Sequence, residues 1–70
     1  MGRKLSTFYS DRDRGYCEVH VDLKNEMFYI KYFDDNNRQF FVEDFPNKSL
    51  QYVNDAAENW ALGIKKIEDI

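Results

Sequence analysis

Cysteine is almost missing from this chain: Cys17 stands alone. That excludes a disulfide within the chain and any zinc site built from several thiolates. Histidine is equally scarce, with His20 alone, so a transition-metal site would have to recruit carboxylates. The three glycines lie at 2, 15 and 63, too scattered to form a phosphate-cradling loop. No apolar run approaches the ~20 residues that span a bilayer. Residues 1–10 hold no stretch of the signal-peptide kind. With a single thiol, the expected location is cytoplasmic, and no membrane partner is expected.

Basic charge is outnumbered by acidic charge, ten side chains to thirteen, and is unevenly placed. Residues 1–14 carry four basic and two acidic side chains, whereas residues 15–70 carry six and eleven. The body is acidic, with the basic excess near the N-terminus. An acidic body repels phosphate, which disfavours nucleic acid as the main partner.

Aromatic residues are what the chain has in quantity: six Phe, five Tyr and one Trp in 70 residues. Most fall in three short runs, 16–23, 27–33 and 39–45. In the first, Cys17, Val19, Val21 and Leu23 share one face, and Tyr16, Glu18, His20 and Asp22 the other. Such alternation marks a strand with one buried and one wet side. In the second, Phe28, Ile30 and Tyr32 oppose Met27, Tyr29, Lys31 and Phe33, and Lys31 assigns its own set to the outside. In the third, Phe40 and Val42 are expected inside, and Phe41, Glu43 and Phe45 outside. The polar segments 24–26 and 34–37 read as hairpin turns, with Asn25 suited to the left-handed conformation. Lys4 to Tyr9 alternates weakly and reads as a first strand or an arm.

Pro46 closes the third run. Asn47 or Ser49 is a candidate helix cap. Leu50, Val53, Ala57, Trp60 and Ala61 then recur at helical spacing, and Gly63 is placed to stop the helix. The expected fold is therefore α+β. It is a small antiparallel meander of three or four strands, with one C-terminal helix packed on one face. The whole of 1–70 is read as one domain: an arm or first strand at 1–15, the meander at 16–45, the helix at 47–62, and a tail or short last strand at 64–70. A domain this small buries only roughly 60% of its unfolded surface, so each core residue counts.

Chemistry is harder to find. Cys17 and His20 are three positions apart in a strand and point to opposite faces, which separates the only thiol from the only imidazole. The expectation is a core cysteine and a solvated histidine. The turn Asp34-Asp35-Asn36-Asn37 lacks the glycine and terminal glutamate of a calcium loop and reads as a solvated hairpin turn. Glu18 and Glu43 would form a carboxylate pair only if both lay on one sheet face. No catalytic residue, cofactor or metal ligand is assigned, and no enzymatic activity is expected.

The outer sheet face stands above this background. It is expected to carry Tyr16, Met27, Tyr29, Phe33, Phe41 and Phe45 among charged residues, too much aromatic surface to leave wet without a reason. Three occupants are open: the chain's own termini folded across it, a protein partner or second copy, or stacked bases of single-stranded nucleic acid. Tyr16, Tyr29, Lys31, Phe33 and Phe41 are the candidate interaction surface. Contact with a protein partner, or self-association as a homodimer, is the leading function; single-stranded nucleic-acid binding is the alternative.

The segment 38–45 resembles the aromatic third strand of RNA-recognition domains, without their small residues or strand–helix order. Strands followed by one helix are similar to small single-stranded-DNA-binding coactivator domains, whose basic surface this body lacks. They are similar also to the MbtH-like proteins, whose paired tryptophans are missing. No family is assigned.

Overall fold

The computed structural model describes residues 2–10 and 15–63. Four strands, β1 (Gly2–Tyr9), β2 (Tyr16–Asp22), β3 (Met27–Phe33) and β4 (Gln39–Phe45), precede one helix, α1 (Leu50–Ala61). The sheet is an antiparallel meander in the order β1-β2-β3-β4. Residues 64–70, where a tail or last strand is expected, lie outside the described residues. Among the described residues no helix is long and apolar enough to cross a membrane.

The first connection turns at Gly15, whose φ of 94° is left-handed. A Cβ there would run into the carbonyl of Phe33 and the backbone of Asp34, so only glycine fits. In the second turn the left-handed residue is Glu26 (φ 53°), not Asn25. Asn25 instead donates from its side chain to Asp22 at 3.0 Å. The Asp22 carboxylate also accepts the N–H groups of Lys24 and Asn25. Although desolvation acts the other way, these donors hold the Asp22 carboxyl below its ordinary pKa. In the third turn, Asp34 accepts from the N–H of Asn36 and of Arg38, both at 2.9 Å, and Asn37 is left-handed. That carboxylate is committed to its own turn.

Helix α1 begins where Ser49 accepts the N–H of Tyr52 at 3.1 Å. It ends as Gly63, at φ 83°, donates to the carbonyl of Trp60. Its buried stripe is Val53, Ala57, Trp60 and Ala61. Leu50, expected in that stripe, is exposed at the first turn. The helix lies over β1, β2 and β3. Beneath it, Cys17, Val19, Ile30, Tyr32 and Phe45 complete the core, with Phe8, Phe28 and Phe41 packed against it. Trp60 meets Tyr32 edge-on, ring centres 5.2 Å apart. Ser6 of β1 donates to Asn54 of α1 at 3.2 Å, so the first strand is tied to the helix as well as to β2. Leu23, assigned to the buried face, has left the strand for the turn and is exposed.

The faces of β4 are the reverse of the expected ones. Tyr32 pairs with Phe41 and Phe33 with Gln39, which leaves Phe40 as an extra residue at an irregularity. Such a bulge shifts the pleat by one, and a one-residue shift exchanges the faces. Phe41, Glu43 and Phe45 therefore lie on the helix side, Phe45 buried beside Tyr52. Val42 lies outside, and Phe40, at the bulge, is 50% exposed. Glu43 is accommodated inside because the Tyr32 hydroxyl donates to it at 2.9 Å. Burial, and then the Glu43 carboxylate, push the Tyr32 phenol well above its ordinary pKa.

Candidate functional site

The sheet face away from the helix is ordered in rows by strand register. One row runs Tyr9, Tyr16, Phe33, Gln39 from β1 to β4. The next runs Thr7, Glu18, Lys31, Val42, and the third Lys4, His20, Tyr29, Asp44. Beyond it, Gly2, Asp22 and Met27 share the last row. Alternation in β2 fixes this side as outer, because Cys17 and Val19, the intervening residues, are buried under the helix.

Tyr16, Tyr29, Lys31 and Phe33 of the candidate surface are brought together here. Phe41 is not: it sits on the helix side, 5.8 Å from the Tyr32 ring. Tyr9 is a member that the sequence reading missed. The signal was available, since a hairpin centred on the polar run 10–15 sets Tyr9 opposite Tyr16.

The first row is a ribbon of rings. Tyr16 and Phe33 stack at 4.8 Å with planes 10° apart, and Tyr9 continues the row at 5.7 Å. Tyr9 is 72% exposed, whereas Tyr16 and Phe33 are half-buried against each other. In the third row His20 and Tyr29 stack at 5.2 Å with planes 11° apart. The Tyr29 hydroxyl reaches across to Gly2, where a side chain would obstruct it. His20 is not the solvated side chain expected. Only 12% of it is exposed, and its Nε2 lies 2.9 Å from Glu18 Oε1. Lys4 Nζ lies 3.9 Å from the other oxygen of Glu18. Lys31 extends over the Tyr29 ring, 6.0 Å from its centre.

Of the two termini that could cover this face, residues 64–70 lie outside the described residues. β1 extends the sheet at its edge instead of crossing it. The surface is mixed in sign, with Lys4 and Lys31 beside Glu18, Asp22 and Asp44. Glu43 is on the opposite face from Glu18, so those carboxylates do not form a pair.

Little else gathers chemistry. Cys17 is buried and points its thiol at the carbonyl of Ala57, 3.9 Å away, with the sheet between it and His20. Among the described residues, no three His, Cys, Asp or Glu side chains converge on a point. A shallow depression of about 330 Å³ on the helix is lined by Tyr52, Asp55, Ala56 and Asn59. It contains one carboxylate and no partner base. Set against protein-family models, curated proteins and solved structures, the chain matches none of them.

Proposed function

We propose that this is a small accessory protein that works through protein–protein contact at the outer sheet face, without catalysis. The aromatic row Tyr9, Tyr16, Phe33 carries the reading, because it ends in the 72%-exposed ring of Tyr9 on a face the helix leaves bare. Tyrosine and phenylalanine within a polar rim are the usual ingredients of such contacts. Tyr16, Tyr29, Lys31 and Phe33 are its members, and Phe41 is withdrawn from them. A cytoplasmic setting, suggested by a chain with one buried thiol, belongs to the same proposal.

A photo-crosslinking residue in place of Tyr16 tests it. Adducts to protein, either a second copy or another chain, are expected at position 16 and not at Glu58 on the exposed side of the helix. Equal yields at the two positions would end the reading. Single-stranded nucleic acid is the competing occupant, and Glu18, Asp22 and Asp44 oppose phosphate on this face. Labelled oligonucleotides at low salt are expected to show no saturable binding. Binding that weakens steeply with salt would replace protein contact as the function.

A further inference from the structure

We propose that the outer face joins two copies of this chain about a two-fold axis running along the strands, between β2 and β3. The proposal rests on the reading of that face as a protein contact and adds the occupant and its geometry. Its basis is the order of charges across the rows. A two-fold rotation about such an axis lays β1 of one copy over β4 of the other, and β2 over β3, row against row.

Each row then meets its own reverse. Glu18 faces Lys31 of the second copy, and Lys31 faces Glu18, so one contact is made twice. Thr7 meets Val42, a side chain of the same shape. In the next row Lys4 faces Asp44, and His20 faces Tyr29. In the aromatic row Tyr16 meets Phe33, and Tyr9 meets Gln39. Asp22 falls at the rim near Met27, its carboxylate already held by its own turn. No cation meets a cation, and no anion meets an anion.

The other face-to-face arrangement has its axis across the strands and reverses the order of the rows. It sets Lys4 over Thr7, Asp44 over Val42 and Tyr16 over Asp22. It also sets Glu18 over His20 and Lys31 over Tyr29. None of the four charges Lys4, Glu18, Lys31 and Asp44 then keeps a lysine–carboxylate pairing, and a ring faces a carboxylate, so the axis along the strands is favoured. Both arrangements keep the strands of the two sheets aligned, so the order of charges decides between them.

The area is modest. Four strands of about 4.8 Å spacing and seven residues of about 3.3 Å rise make a face of about 19 by 23 Å. Two such faces bury on the order of 900 Å² in plan, at the low end of specific interfaces. The dimer is therefore reversible and concentration-dependent.

Charge exchange tests both the partner and the axis, with solution mass followed by light scattering over a concentration series. The wild type is expected to pass from monomer to dimer. Lys31→Glu sets carboxylate against carboxylate across the axis, and Glu18→Lys sets ammonium against ammonium. Each variant alone is therefore expected to associate at least about ten-fold more weakly. In an equal mixture, one copy of each variant forms a pair with two carboxylates facing two ammonium groups, and the dimer mass returns. Recovery on mixing cannot come from a change inside one monomer. If either variant fails to fold, Lys4→Glu and Asp44→Lys repeat the exchange on more exposed side chains. A wild type that stays monomeric throughout overturns the self-pairing. The contact reading then stands only if the position-16 crosslinker captures a different protein. A wild-type dimer that is not restored by mixing overturns the axis.

Discussion

Trp60 is the bulkiest side chain of the helix's buried stripe. It lies at the end of the helix stripe, 2% exposed, edge-on to Tyr32. Trp60→Ala is expected to cost about 3–5 kcal/mol, a large part of what so small a domain has. Thermal unfolding followed by circular dichroism will show a lost or much lowered transition; an unchanged midpoint would mean that the helix is not anchored there. Tyr32 makes a different prediction, one of pH. Its proton is held in the folded chain and released near pH 10 in the unfolded one. The stabilisation from this group is whole below that pH and is lost as pH rises above it. Denaturant titrations over an alkaline series should show wild-type stability falling more steeply above pH 10 than that of Tyr32→Phe, which has no phenol proton to lose.

Among the elements, β4 is where reading from sequence and folded position part. β2 was legible because its two faces differ in kind, with Cys17 and Val19 against Glu18 and His20. The helix was legible from the spacing of Val53, Ala57, Trp60 and Ala61. β4 offers apolar residues to both sides, Phe40 and Val42 on one phase and Phe41 and Phe45 on the other, so alternation alone does not decide between them. The charge of Glu43 pointed outward, and the Tyr32 hydroxyl across the strand pair helps to make an inward glutamate tolerable. The same strand removed Phe41 from the candidate surface, while the phases of β2 and β3 kept Tyr16, Tyr29, Lys31 and Phe33 together. The face assignment has a direct check. Phe41→Ala is expected to lower stability by about 2 kcal/mol, and Phe40→Ala by less than about 1 kcal/mol; the reverse order would restore the original phase. At the start of α1, Ser49→Ala is expected to cost about 1 kcal/mol, read as a small drop in the denaturation midpoint.

For the molecule as a whole, the two sides of the sheet do different work. The helix side supplies the stability of the monomer, and the outer side presents rings and charges in complementary order. If two copies meet there, their folding is linked to their concentration, because whatever binds only the folded chain stabilises it. The melting midpoint of the wild type should then rise with protein concentration, and that of Lys31→Glu should not. A midpoint independent of concentration in both would separate the outer face from self-association.

The order of elements along the chain has a kinetic consequence. Among the described residues every strand pairs only with its neighbour in sequence, so the sheet can zip from short hairpins with little loop-closure cost, a topology that favours rapid folding. The helix is the exception: its contacts with Cys17 and Ser6 span 40 and 48 positions. Until the helix docks, the Val19–Ile30–Tyr32 side of the hairpins is bare. That interval, more than the finished fold, is when this chain is open to aggregation, and a helix weakened at Ser49 or Trp60 would prolong it.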